Sequence, residues 1–324
     1  MKAKPKVYIT RRIPQAGIDL LKEKYDVKVN PHDRALSRAE LLSAVQDADG
    51  VLCLLTDKID GEFFDAAPQL RGVANYAVGY DNIDVPEATR RKLPVSNTPG
   101  VLTDATAEMA WALLFAVARR VVESDGHMRA GKWGGWGPLQ FIGGDVSGKT
   151  LGVVGTGRIG TAMALKSTGF SMKVLYTDVV ENEVLNEKCK ARRVDFDTLL
   201  AESDFVSIHV PLMDSTRHLF NAEVFKKMKS TSYLINTSRG PVINETDLVQ
   251  ALKAGELAGA GLDVYEAEPK MAAGLADLTN AVLTPHTASA TEEARTNMAL
   301  KAARNLSAMI AGETPPDCVN PEIL

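Results

Sequence analysis

The 324-residue chain is poor in cysteine: Cys53, Cys189 and Cys318 lie far apart, with no CxxC pair and no cysteine–histidine cluster at zinc spacing. A disulfide scaffold and a structural zinc site are thereby excluded, and no metal site is expected; reduced thiols in a cytoplasmic protein are the simplest reading. Charge of one sign is also lacking. Lys and Arg number 37 against 41 Asp and Glu, a net charge of -4, so no basic surface is available to attract a phosphate backbone and nucleic acid is not an expected partner. Long apolar runs are missing as well. The longest, at 107–118, is too short for a bilayer. The basic start MKAKPKVYIT leads into only a short strand-like stretch, and the closing Asn-Pro-Glu-Ile-Leu carries no prenylation box, so neither membrane nor anchor is expected. No repeat or low-complexity tract breaks the chain.

What is present, 45% hydrophobic and 24% charged residues, is the composition of a globular protein with a sizeable core. The length suggests two domains. Short β-branched runs alternate with amphipathic stretches through the first hundred residues: strands near 7–10, 27–29, 51–55, 72–76 and 95–97 are separated by helical patterns. That βα rhythm predicts a parallel sheet covered on both faces, a flavodoxin-like unit. After the turn-rich Asn97-Thr98-Pro99-Gly100, residues 103–120 read as one helix, apolar nearly all round and therefore buried under a sheet or in a subunit interface. The glycine-rich loop 131–138 holds two of three tryptophans, Trp133 and Trp136, and is expected to rest on a partner subunit. A second series, with strands at 151–154, 173–176, 205–209, 232–236, 260–264 and 281–283, predicts a Rossmann unit. The fold class is α/β, two doubly wound parallel-sheet domains: 1–100 with the returning helix 292–311 and tail 290–324, and 101–289.

Gly155-Thr-Gly157-Arg-Ile-Gly160 follows an apolar strand and opens a helix, which is the context a GxGxxG fingerprint requires. Gly155 supplies the tight turn, Gly157 lets a pyrophosphate approach, and Gly160 packs helix on strand. Asp178 lies 21 residues beyond Gly157, near the spacing at which a carboxylate reaches the ribose hydroxyls of NAD. No Arg or Lys occurs in 179–183, so a 2′-phosphate would meet uncompensated negative charge. NAD(H) is accordingly preferred over NADP(H).

Three segments close later strands: Asn236-Thr-Ser-Arg239-Gly, Asp263-Val-Tyr-Glu-Ala-Glu268-Pro and Thr284-Pro-His286-Thr. Strand carboxyl ends face the ligand crevice in such sheets. A guanidinium can clamp a carboxylate, a histidine can move the proton of a carbonyl or hydroxyl, and a glutamate can orient the imidazole and favour its charged form. Each also has a plain reading: Arg239 as a surface ion-pair partner, Glu268 as a loop acid, His286 as a helix-start residue. Of the other histidines, His32, His127 and His218 fall in or beside polar loops, and His209 ends a strand, where it could touch the adenosine side.

The order GTGRIG, NTSRG, DVYEAEP and TPH resembles the D-isomer-specific 2-hydroxyacid dehydrogenase family over essentially the whole chain. The resemblance implies two domains with a cleft between them, a homodimer built on the second domain, and Arg239, Glu268 and His286 as the catalytic triad. It further implies that the backbone N–H groups of Val78 and Gly79 meet a substrate carboxylate. Cofactor contacts are implied at Thr106, Arg158, Ile159, Val210, Pro211, Thr216, Thr237, Ser238 and Asp263, besides the triad's Arg239 and His286. The stretches 51–60 and 133–141 are most similar to the glyoxylate/hydroxypyruvate reductase branch, with Leu55 and Trp136 beside the substrate and only Lys58 near enough to greet a phosphate. Ala288 stands where many relatives have glycine, which would narrow the space beside the nicotinamide. The implied activity is NADH-dependent reduction of glyoxylate or hydroxypyruvate. A D-lactate-type or broad 2-oxo acid reductase, and a nicotinamide-sensing corepressor, are the alternatives.

Overall fold

The computed structural model describes residues 3–323; Met1, Lys2 and Leu324, which enter the expected domain bounds and terminal readings, lie outside the described residues. The chain divides into two compact units, Met1–Leu102 with Ala290–Leu324, and Thr103–Ser289.

In the first unit β1 (Lys6–Ile9), α1 (Gln15–Lys22), β2 (Asp26–Val29), α2 (Arg38–Ala44), β3 (Gly50–Cys53), α3 (Gly61–Ala66), β4 (Val73–Asn75), α4 (Val85–Arg90) and β5 (Val95–Ser96) alternate. All strands are parallel, in the order β2-β1-β3-β4-β5, the flavodoxin-like order. Helix starts are written in the sequence. Ser37 and Glu40 form a reciprocal capping box on α2, and the Asp60 and Asp84 side chains accept from Phe63 N and Glu87 N.

The second unit begins with α5 (Thr103–Ala118) and α6 (Val121–Arg129). Then follow β6 (Thr150–Val154), α7 (Arg158–Lys166), β7 (Lys173–Thr177), α8 (Glu183–Cys189), β8 (Arg192–Arg193), α9 (Phe196–Glu202) and β9 (Phe205–Ile208). The unit closes with α10 (Ala222–Lys227), β10 (Tyr233–Asn236), α11 (Glu245–Ala254), β11 (Gly259–Leu262) and β12 (Ala281–Leu283). Its sheet order is β12-β11-β10-β9-β6-β7-β8, doubly wound from β6 as a dinucleotide fold requires. The long α12 (Glu292–Ala311) belongs to the first unit, where it packs on α1, β3 and β4.

One expectation needs correction. The helix read as 103–120 stops at Ala118; Arg120 adopts left-handed backbone (φ 52°) and caps α6. The apolar girth of α5 is absorbed within its own unit, with Ala110, Leu113, Leu114 and Val117 buried in a core shared with β6, β7 and α7. No subunit interface is needed to bury it. The edge strand β8 escapes sequence reading because it consists of two arginines and has no apolar signal.

Candidate active site

Strand β6 runs into the glycine turn. Gly155 has φ 89°, and a Cβ there would lie 2.8 Å from the Val210 side chain. A Cβ at Gly160 would meet the Gly155 carbonyl oxygen at 2.0 Å, so only glycine lets α7 sit this close to the turn. At Gly157, the N-cap of α7, a Cβ would meet nothing within 4 Å. Open space before unpaired first-turn N–H groups suits a pyrophosphate. Arg158 is exposed and Ile159 half-buried on that turn.

Asp178 follows β7. Its Oδ2 accepts from the Thr156 N–H (2.6 Å) and hydroxyl (3.0 Å), and its Oδ1 from the Val179 N–H (2.6 Å). Partial burial alone would raise this carboxyl, but those donors outweigh it and hold it below the usual carboxylate range. Around the same strand ends, Thr106 is buried in the first turn of α5, while Val210 is half-buried and Pro211 exposed. The Thr216 hydroxyl accepts from Met213 N (2.8 Å) and donates to the Pro211 carbonyl (2.7 Å), so it ties its own loop together. Ser238 donates its N–H and hydroxyl to Asn236 Oδ1, both at 2.9 Å. Thr237 Oγ1 is buried without a hydrogen-bond partner in the protein. Such an orphaned hydroxyl carries a desolvation cost that a dinucleotide's polar groups would relieve.

The chemical groups come from the ends of β10, β11 and β12. His286 Nδ1 lies 2.9 Å from Glu268 Oε2. A carboxylate only accepts, so Nδ1–H donates and Nε2 remains for a substrate. Glu268 Oε1 also accepts from Tyr265 N (3.1 Å). Burial would raise the Glu268 carboxyl, but His286, the Tyr265 N–H and the charge of Arg239 together keep it lowered. Arg239 donates from Nη1 to the Ser238 carbonyl, and the Asn236 side-chain amide holds the Arg239 carbonyl at 2.9 Å.

His286 has left-handed backbone, φ 53°, a conformation costing about 1–3 kcal/mol for a non-glycine residue. The Asp263 segment holds it there. The His286 N–H donates to the Asp263 carbonyl (2.9 Å), while the Asp263 carboxylate accepts from the Thr284 hydroxyl (2.6 Å), Thr287 N (2.8 Å) and Ala288 N (2.7 Å). Asp263 is fully buried. In this structure, therefore, it positions the histidine loop. Ala288 is likewise buried, and its N–H is one of the donors that tie the loop to Asp263.

Other positioning groups were not foreseen. Glu245, 4% exposed, accepts from Glu266 N (2.9 Å) and Ala272 N (3.0 Å), clamping the loop on either side of Glu268. Glu266 in turn accepts from Glu245 N (3.1 Å) and pairs with His218 Nε2 (2.7 Å). His218 is thus a loop tie. His209 is pressed under the glycine turn, its Nε2 2.8 Å from the Ser207 hydroxyl, and burial drives its pKa down to about 4. Residues so distant in sequence left no local signal.

In the first unit, the Val78 and Gly79 carbonyls accept from the Asn97 (2.7 Å) and Asn75 (2.9 Å) amides. Their own N–H groups have no acceptor among the described residues. Leu55 sits at the lip of a 420 Å³ cavity lined by Asp57, Lys58, Asp60, Asp81 and Asp84. Lys58 is paired with Asp60 at 3.0 Å, which leaves little to attract a phosphate. Trp136 is 83% exposed; nothing in its own unit covers it.

Residues 111–288, more than half of the chain, match the family described as D-isomer specific 2-hydroxyacid dehydrogenase, NAD binding domain. Over 325 aligned residues the chain is 50% identical to a glyoxylate reductase of Thermococcus litoralis, covering 99% of this chain and 98% of the relative. A solved structure from Thermus thermophilus superposes with a TM-score of 0.91 at 41% identity, covering 97% of this chain and 99% of that one. At 30% identity, an NADPH-dependent glyoxylate/hydroxypyruvate reductase of Sinorhizobium meliloti, solved with NADP and malonate, gives a TM-score of 0.86 and covers 98% of each chain. This chain belongs to the D-isomer specific 2-hydroxyacid dehydrogenase family.

Proposed function

We propose that the chain reduces glyoxylate or hydroxypyruvate to the corresponding 2-hydroxy acid, with NADH as its preferred reductant. The observation that carries the reading is the Glu268–His286 pair under the charge of Arg239, set on the strand ends of a dinucleotide fold. The name carried by the half-identical relative supports the substrate class. Arg239 holds the substrate carboxylate with its planar fork, and the Val78 and Gly79 N–H groups are assigned to a carboxylate as well. When bound, the dihydronicotinamide supplies the hydride to the 2-oxo carbon. His286 gives the Nε2 proton to the carbonyl oxygen, completing the hydroxyl, and Glu268 keeps the imidazole aligned. Asp178 suits the two ribose hydroxyls of NADH.

The test is oxidation of NADH, and in parallel NADPH, with glyoxylate, hydroxypyruvate, pyruvate, phenylpyruvate and 3-phosphohydroxypyruvate. Preference for the two small acids supports the reading. Preference for pyruvate or phenylpyruvate would point to a D-lactate-type or broad reductase, and binding of NADH without turnover to a sensor.

A homodimer is part of the proposal. Val121, Val122, Met128, Trp133, Trp136, Leu139 and Ile142 are all more than half exposed along residues 121–142 of the second unit, an apolar surface of the kind a second copy covers. A monomer in light scattering would remove it. Among the described residues no helix is long and apolar enough to cross a membrane, and the three unpaired thiols fit a cytoplasmic setting.

A further inference from the structure

The stretch after Asp178 holds three acids, Glu181, Glu183 and Glu187, and no cation before Lys188. The sheet supplies one from farther along the chain. Strand β8 pairs in parallel with β7, Tyr176 opposite Arg193, so Arg193 arrives beside the strand end that carries Asp178. Its Nη2 donates to the Asp178 carbonyl (2.7 Å) and the Val179 carbonyl (3.0 Å), and its Nε to the Asp178 carbonyl (3.2 Å).

Neighbouring residues of a strand point to opposite faces, and the two arginines have different fates. Arg192 is neutralised by Glu202 at 2.7 Å. Arg193 bonds only to carbonyl oxygens, and among the described residues its Nη1 has no partner. Asp178 is engaged by Thr156 and Val179, Glu181 by the Asn186 amide at 2.8 Å, and no acid among the described residues forms an ion pair with Arg193. An uncompensated, exposed guanidinium is therefore fixed on the backbone of the residue assigned to the ribose. Guanidinium is the side chain best matched to a phosphate dianion.

We propose that Arg193 is a specificity-determining residue at the ribose end of the dinucleotide crevice: it supplies the cation that a 2′-phosphate needs, so that NADPH is accepted alongside NADH. The inference rests on the reading of Asp178 as the ribose acid. Asp178 favours the free diol, Arg193 offsets its repulsion of the phosphate, and discrimination between the dinucleotides is shallow.

A purely structural role, buttressing the 178–179 turn, would serve both dinucleotides equally, and this separates the two roles. NADH and NADPH are titrated into the intact protein, following nucleotide fluorescence, for the wild type, Arg193→Gln, Arg193→Lys and Asp178→Asn. We expect Arg193→Gln to weaken NADPH about fivefold, a contribution fitting an exposed charge pair, and to leave NADH within about twofold. Arg193→Lys restores most of the NADPH affinity, and added salt erodes it. Asp178→Asn strengthens NADPH, and Arg193→Gln in the same chain cancels the gain. Equal losses for both dinucleotides, unrestored by lysine, would reduce Arg193 to a buttress, as would a wild type that binds NADH but not NADPH. If the wild type binds neither, the cofactor reading itself fails and this inference with it.

Discussion

The two units share one architecture, a parallel doubly wound sheet with its loops at the strand carboxyl ends, yet they brace those loops with different chemistry. In the first unit most of the braces are amides, beside the buried Asp57 carboxylate, which accepts from the Thr10 hydroxyl and Leu54 N. Asn75 bonds Gly79 and Asn82, Asn82 bonds the Leu54 and Asp57 carbonyls, and Asn97 bonds Val78. In the second unit the Asn236 amide holds the Arg239 segment, and most of the remaining work falls to carboxylates: Asp263 under the histidine loop, Glu245 and Glu266 around Glu268, and Asp178 on the glycine turn. Amides orient backbone without bringing charge or titrating in the working pH range. Carboxylates do both, and they serve where a histidine and an arginine must be held in place. One edge thus offers neutral N–H groups, whereas the other is an electrostatic apparatus.

The sharpest test of that contrast is at His286. Removing a positioned general acid costs about 10²–10⁴ in rate. His286→Ala should show that loss in turnover with NADH affinity little changed, measured by substrate-dependent NADH oxidation beside a nucleotide titration. Turnover near the wild-type value would remove His286 from the chemistry.

Next in size is Glu245→Ala. It strands the Glu266 and Ala272 N–H groups, which Glu245 alone satisfies from below the Glu268 loop. An unsatisfied buried donor costs about 1–3 kcal/mol. The urea midpoint should fall, and turnover should fall further than NADH affinity because the displaced loop carries Glu268. A loss of stability with turnover per folded molecule intact would show that the carboxylate brace is structural only.

In the first unit the corresponding cut is Asn75→Ala. A net hydrogen bond contributes about 0.5–1.5 kcal/mol, so releasing the Gly79 carbonyl should raise KM for the 2-oxo acid several-fold. Turnover at saturation and NADH affinity should stay close to wild type. A fall in NADH affinity instead would show that the amide edge does not serve the substrate.

The comparison also separates what is legible in a sequence from what is not. GTGRIG can be read because its glycines answer to backbone geometry: Gly155 has a positive φ, and a Cβ at either Gly155 or Gly160 would collide with its neighbours. Arg239, Glu268 and His286 can be read because each follows a strand whose apolar pattern is plain. The braces cannot. Glu245 looks like any first-turn helix acid, and only the return of residues 266–272 past it gives it a function. Arg193 stands 15 residues from the carbonyls it binds, in a two-residue strand with no hydrophobic signature. The near-uniform apolarity of α5 announces burial but not the partner, which proves to be its own sheet.

The smallest expected effect concerns acid, and it should fall on one unit first. His209, held neutral by burial with its pKa lowered to about 4, binds a proton more readily unfolded than folded. Its contribution to stability is complete above the ordinary histidine range and declines as pH falls from about 6.5 towards 4. Glu268 and Asp178, both lowered, contribute above the ordinary carboxylate pKa and lose that contribution only as pH drops through their depressed values. All three belong to the second unit, as do all three tryptophans, Trp111, Trp133 and Trp136. Tryptophan emission followed through urea unfolding between pH 7 and 4 should therefore record a falling midpoint, and His209→Asn should flatten its upper part. Amide exchange in the first unit, whose braces are mostly amides, should change less over the same range. Equal acid sensitivity in both units would show that the choice between amide and carboxylate does not govern how each edge responds to pH.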